Sequence, residues 1–257
     1  MEPFAGGGII SLTTAFERLA EKVVMAEMDI QIAAVWETIL GGEAEWLAKK
    51  ILNFELTPET AKEALSTPAR TKRELAFQTI LKNRTNHGGI LAEGAGVLKY
   101  GENGKGILSR WYPGTIAKRI TNIDHVVTRI QFIHGDAFDI LKQYRSEQNA
   151  AFFIDPPYTA GGKRAGSRLY THCEIDHEEL FSLCEKLHGE FLLTYDNAGE
   201  VQALARKHGF QTRTVPMKNT HHAEMTELLI SRNLDWIEEG GVFREERPGY
   251  KAFRDER

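Results

Sequence analysis

The chain has 257 residues, 42% of them hydrophobic and 26% charged, with two cysteines and a formal net charge of −4. Those proportions fit a globular chain and exclude a collagen-like, disordered or disulfide-scaffolded one. No apolar run reaches the roughly 20 residues of a membrane-spanning helix, and "MEPFAGGG" lacks the basic start and apolar core of a signal peptide, so the expected compartment is a reducing cytoplasm.

In chain order, "IISLTTAFERLA" (9–20) has apolar residues at helical spacing, and "KVVMAEM" (22–28) is a short apolar strand that ends on Glu27, Met28 and Asp29. "IQIAAVWETILGG" reads as a helix stopped by Gly41 and Gly42. Residues 43–83 look helical, and Thr57 and Thr67 each precede a proline in the arrangement of a helix start. From Arg84 to Pro113 the pattern dissolves into glycine-rich sequence, which inside a compact domain marks a functional or disordered loop. Regular alternation then resumes. "TRIQFIHGD", "AAFFI" and "EFLLTYDN" read as strands separated by the helices "AFDILKQY" and "DHEELFSLCEKLHG". The helix "AGEVQALARKHG" and the strands "FQTRTVPM" and "MTELLISR" follow, and a charged, aperiodic tail closes the chain. Strands alternating with helices predict an α/β fold with a doubly wound, mostly parallel sheet. The predicted organisation is a discontinuous core (1–45 and 122–235), an inserted, mainly helical subdomain (46–121) and a tail (236–257).

Charge is unevenly distributed. Between Arg70 and Arg119 ten basic residues stand against Glu74, Glu93 and Glu102. Such a block in an acidic chain fits either a solvated helical face or a footprint for phosphates.

Two short stretches carry chemistry. In "EPFAGGG" the glycines let the backbone turn tightly before a helix, which suits a nucleotide-like ligand and a plain structural turn equally well. The spacing is not G-x-G-x-x-G, and Glu27 or Asp29, about 20 residues on, is placed to accept from ribose hydroxyls. In "AAFFIDPPYT" an apolar strand runs into Asp155, Pro156, Pro157 and Tyr158. Proline cannot feed a ladder inside a sheet, so the tetrapeptide belongs just past the strand's carboxyl end, where open α/β sheets bind ligands. Asp155 with a proline carbonyl could hold an exocyclic amino group, and Tyr158 offers a face for a base; a plain turn after a strand fits D-P-P as well. His172, Cys173 and His177, and the pair His221–His222, match no zinc spacing, and no metal is expected. Lys163 and Arg164, in "GGKRAGSR", are expected to meet phosphate at the cleft mouth.

"EPFAGGG", "AEMD", "HGD", "FIDPPYT" and "LYTH…DHEEL" occur in this order, the late "EMTELLI" is similar to a closing strand motif, and residues 2 to 231 together resemble the Dam-like, or D12, class of N6-adenine-specific DNA methyltransferases. The resemblance implies a Rossmann-like methyltransferase sheet with S-adenosylmethionine as cofactor and double-stranded DNA as partner, in a bacterial or phage-borne modification or restriction–modification system. It implies that Phe4, Gly6 and Gly8 line the cofactor site, that Glu27 (Asp29 as second choice) holds the ribose, and that Asp136 holds the cofactor's adenine. It implies that Asp155, Pro156 and Tyr158 hold a flipped target adenine on a turn stiffened by Pro157. It places the DNA-reading loops at 83–89 and 109–114, with Arg84, Asn86, Lys105 and Arg110 as contacts. Methylation of cytosine N4 or of an RNA base, and a non-catalytic DNA-binding remnant, are the alternatives. The family also carries a strand and a glycine-glycine-lysine segment before the glycine turn. Here Phe4 is the fourth residue, so exposed sheet edges are expected, with a missing N-terminal segment or a partner chain completing the cofactor pocket.

Overall fold

The protein is described from a computed structural model, which covers residues 1–92, 95–101, 104–157, 175–218 and 224–237. After the glycine turn come α1 (Ile9–Phe16) and the buried strand β1 (Val23–Glu27). Five α-helices follow among the described residues: α2 (Ile30–Thr38), α3 (Ala44–Leu52), α4 (Pro58–Ser66), α5 (Lys72–Thr85) and α6 (Pro113–Asn122). The second half alternates, with β2 (Ile130–His134), α7 (Ala137–Tyr144), β3 (Ala151–Ile154), α8 (His177–Glu185) and β4 (Glu190–Asp196). It ends in α9 (Gly199–Lys207), β5 (Gln211–Lys218) and β6 (Glu224–Ser231).

β1 pairs with β2 and β3 with β4, both in parallel, whereas β6 lies antiparallel between β4 and β5. The first residues join the two sets. Glu2 N–H donates to Val24 O and Ala26 N–H to Glu2 O, while on the other side Phe153 N–H donates to Met1 O. Read across, the order is β2, β1, residues 1–3, β3, β4, β6, β5. Numbered along the chain, its first five positions run 3-2-1-4-5, the doubly wound order, and its strand-order reversal falls between residues 1–3 and β3. The expected gap at the centre is therefore closed at its carboxyl end by Met1 and Glu2. Below them a groove of about 980 Å³ remains between Val23–Val24 and Ala151–Phe153.

Apolar side chains form two cores, one on each side of this seam. The first joins β1 and β2 to α2, α3, α5 and α6 through Met25, Trp36, Leu47, Ile51 and Leu81. The second packs β3, β4 and β6 against α7, α8 and α9 through Phe152, Phe181, Leu193 and Tyr195. Ala5 belongs to the first core, and Met1 and Phe4 pack on the second.

Several predicted boundaries move, each for a local reason. Thr57 caps α4 in a reciprocal pair with Thr60, as expected, but Thr67 closes α4 instead of opening a helix. The proline after Thr67 favours extended backbone there, which ends α4, and the next helix opens four residues later, where Thr71 and Glu74 form the reciprocal cap of α5. α1 stops at Phe16, short of residue 20, and Arg18 then adopts φ 55°. The stop at Gly41–Gly42 is a wide helical turn with Gly42 at φ 88°, after which α3 resumes at once. α6, which falls in a stretch where the sequence shows no clear pattern, starts on Pro113 and buries Ile116, Ala117 and Ile120.

Gly8 sits at φ 62°, and a Cβ there would lie 2.7 Å from Trp36 Cζ2 and 2.8 Å from Met25 Cε. Gly8→Ala is therefore expected to cost about 2–4 kcal/mol in chemical denaturation, combining backbone strain with overpacking. Gly7→Ala is the control: the methyl group it gains would meet nothing within 4 Å, and it should change stability by less than about 0.5 kcal/mol.

Candidate active site

A cavity of about 520 Å³ opens at the reversal point, within the range of small-molecule sites. Its floor is the glycine turn, Phe4 to Gly8, and its walls are the ends of three parallel strands. From β1 come Glu27 and Asp29, from β2 Asp136, and from β3 Asp155 and Pro157. Asn83, Gly89 and Leu91 close the side toward the helices. The structure thus brings Phe4, Gly6, Gly8, Glu27, Asp29, Asp136, Asp155 and Pro157 to one hollow. Pro156 is buried beside it. Tyr158, Lys163 and Arg164 lie outside the described residues, as do His172, Cys173, His221 and His222.

Each acid near the glycine turn is fixed by backbone donors. Glu27 Oε2 accepts from Gly6 N–H and Oε1 from Asp29 N–H, both at 2.9 Å, which ties the end of β1 to the glycine turn. Trp36 Nε1 donates to Gly6 O at 2.9 Å and locks the same turn from α2. Asp29 is buried and caps α2, its Oδ1 accepting from Gln31 and Ile32 N–H. Asp136 Oδ1 caps α7 through Phe138 N–H at 2.7 Å, leaving Oδ2 without a hydrogen-bond partner among the described residues. Of the two candidates for a ribose, Glu27 is the more exposed and Asp29 the more committed to its helix.

Asp155 is exposed, one residue past β3, and Thr194 Oγ1 donates to its Oδ1 at 2.6 Å. Thr194 lies on β4, with Asp196 two residues on and on the same face; Glu227 of β6 stands opposite Asp196. Burial, and then the charges of Asp155 and Asp196, hold the Glu227 carboxyl above its usual range. Sequence reasoning passed over Thr194, Asp196 and Glu227. The available signal was that "LLTYDN" and "EMTELLI" place polar residues where neighbouring strands end beside D-P-P.

No family model matches the chain, and no curated protein matches it. Among solved structures, one with some likeness is a crystal structure of a Pyrococcus horikoshii protein proposed to be an RNA methyltransferase. It is 14% identical, covers 73% of this chain and 96% of that one, and has a TM-score of 0.27. The α/β fold rests on this chain's own strand order.

Glu2 is a further acid that the sequence did not single out. It is 5% exposed, and its Oε2 accepts from Ser11 N–H at 2.7 Å in the first turn of α1. Burial raises its pKa, partly offset by the hydrogen bonds from the start of α1. Among the other sequence candidates, Asn86 is buried and its amide donates to Ile90 O at 2.8 Å, so its side chain braces the loop and does not face outward. Lys105 is exposed, and Arg110 is half-buried. Burial pushes the Cys184 thiol up to about 12, which leaves it un-ionised at neutral pH. No grouping of histidines, cysteines and acids suited to a metal occurs among the described residues.

A raised folded-state pKa means that Glu2 favours folding when protonated and loses that contribution as pH rises through its folded value. Glu2→Gln keeps the acceptor without the charge, so its melting temperature relative to wild type is expected to rise as pH increases above the ordinary glutamate range. A variant penalty that grows with pH in thermal melts would contradict the assignment.

Proposed function

We propose that the protein transfers a methyl group from S-adenosylmethionine to the exocyclic N6 amine of a flipped adenine in DNA. The observation that carries this reading is the single hollow shared by the glycine turn, the acids Glu27 and Asp136, and Asp155. The ordered resemblance to the Dam-like class supports it, and so does the basic block between β1 and β2.

The donor set fits the cofactor. The glycine turn lets backbone approach closely, Glu27 is held at the end of β1 where a ribose is bound in doubly wound sheets, and Asp136 keeps one oxygen unpartnered among the described residues for an adenine amine. When bound, S-adenosylmethionine supplies an electrophilic methyl on a sulfonium. The residues of this chain do the rest. A base amine is unreachable in a stacked duplex, so the base must leave it at a cost of a few kcal/mol. Asp155 and the Pro156 carbonyl accept from the two amine protons and draw the nitrogen toward tetrahedral geometry, which aims its lone pair at the methyl. Thr194 holds Asp155 Oδ1 and so fixes the rotation of the carboxylate. Formation of the N–CH3 bond would break the S–CH3 bond and release the cofactor as a neutral thioether. The carboxylates at the ends of β3, β4 and β6 would stabilise the positive charge on the nitrogen until one amine proton is lost to solvent, with positioning and electrostatics supplying the catalysis. In this reading the helical block 46–121 reads the DNA.

The test is incubation of the purified chain with labelled cofactor and DNA, followed by nucleoside analysis; N6-methyladenine is the expected product. N4-methylcytosine, or label in RNA alone, would change the substrate, and absent cofactor binding with retained DNA binding would leave only a binding protein. Asp155→Ala is expected to lower turnover at least about 100-fold with cofactor affinity nearly intact. Glu27→Ala should instead weaken cofactor binding about tenfold or more in calorimetry, because it removes charge-assisted hydrogen bonds.

A further inference from the structure

The ten basic residues of the block are not equivalent once their partners are known. Lys72 pairs with Glu37 at 2.8 Å and Arg73 with Glu43 at 3.0 Å, and Lys82 donates to Gln31. Arg84, at the end of α5, Arg110, and Arg119 on α6 form no ion pair with a carboxylate among the described residues, as is also true of Arg70, Lys82, Lys99, Lys105 and Lys118; what sets the three arginines apart is where they lie. They are also close enough to repel one another: burial first, then the charges of Arg110 and Arg119, depress the pKa of Arg84.

Their position ties them to the active-site hollow. Arg84 and Arg119 line a second cavity of about 340 Å³, walled by Trp36 and Ile120, which shares Gly6, Gly7 and Asn83 with the first. Arg110 reaches the same junction from the other side. Its guanidinium donates to Asn86 O, and a Cβ on Gly89 would lie 3.0 Å from both Arg110 Nη2 and Asn83 Nδ2. Gly89 itself lines the active-site hollow. Three guanidinium groups, two of them half-buried and none neutralised among the described residues, are costly unless an anion joins them. A lone carboxylate would supply one charge. Three forks set in a basic segment match a polyanion.

We propose that Arg84, Arg110 and Arg119 form a phosphodiester clamp that grips the nucleic-acid backbone beside the flipped nucleotide. This rests on the nucleic-acid reading above and narrows it. The affinity due to phosphate is concentrated in these three residues, while Lys72 and Arg73 serve the fold. Arg119, which nothing in the sequence favours over Lys118, becomes a principal contact.

The test compares wild type with Arg84→Gln, Arg119→Gln and the control Arg73→Gln. Binding of a duplex oligonucleotide is measured at several salt concentrations, and cofactor binding by calorimetry. The expected result is that each clamp variant lowers the slope of log affinity against log salt by about 1 and weakens duplex binding about tenfold at low salt. The control should leave the slope unchanged. Removing mutual repulsion should also leave the clamp variants as heat-stable as wild type or more so, which separates lost contact from lost fold. Folded clamp variants with an unaltered salt slope would overturn the proposal. So would a loss confined to cofactor affinity, which would assign the cluster to the cofactor's carboxylate. If the slopes change as expected but no methylated base is ever formed, the clamp stands and the methyl-transfer reading falls.

Discussion

The arrangement depends on one short segment, Met1 to Gly8, being held from both sides. Its backbone bonds to β1 through Val24 and Ala26 and to β3 through Phe153, so it is the seam between two sheets that would otherwise not touch. The turn that follows is fixed by three further contacts: Glu27 takes Gly6 N–H, Trp36 gives to Gly6 O, and Gly8 passes under the Trp36 ring with no room for a side chain. Because the same segment packs Ala5 into one core and Phe4 onto the other, the turn cannot shift relative to Asp155 without disturbing both. Close-packed interiors resist such shifts, and that rigidity keeps the two ends of the hollow in register.

Electrostatics then divide the molecule into two working faces that the net charge of −4 conceals. The strand ends are acidic. Glu27, Asp29 and Asp136 are each held by backbone N–H groups, which satisfies the buried or half-buried carboxylates and orients them. Asp155 is oriented by a hydroxyl instead, and its neighbours Asp196 and Glu227 add negative potential where an amine would acquire positive charge. The helical side is basic but selectively so, because Glu37 and Glu43 neutralise Lys72 and Arg73 and leave the arginines nearest the hollow without acidic partners among the described residues. A strand-end face suited to a developing cation thus meets a helical face suited to a polyanion.

Much of this was legible in the sequence because it is local. A strand running into D-P-P, a glycine turn before a helix and acids at strand ends are each dictated by what proline, glycine and carboxylates do to a backbone, and Asp155 stands where that reasoning places it. What failed to show was non-local or too short to have a pattern. Two residues, Met1 and Glu2, act as a strand only because their neighbours offer free edges. Thr57 and Thr67 both precede a proline, yet Thr57 opens α4 and Thr67 closes it, while Thr71, paired with Glu74, caps α5. Asn86 stands among the DNA contacts that the resemblance implies, and nothing in a linear reading tells that its amide turns back to Ile90. Thr194 and Glu227 sit 39 and 72 positions after Asp155, and only strand pairing brings them beside it.

In the proposed reaction, cofactor and target amine would meet in one hollow between the glycine turn and Asp155. A crystal structure of the protein soaked with an unreactive analogue of S-adenosylmethionine tests it most directly. The expected result is the analogue's ribose at Glu27, its adenine at Asp136 and the atom replacing the methyl group directed toward Asp155. An analogue seated away from the glycine turn, or bound there with its methyl position facing away from Asp155, would contradict it.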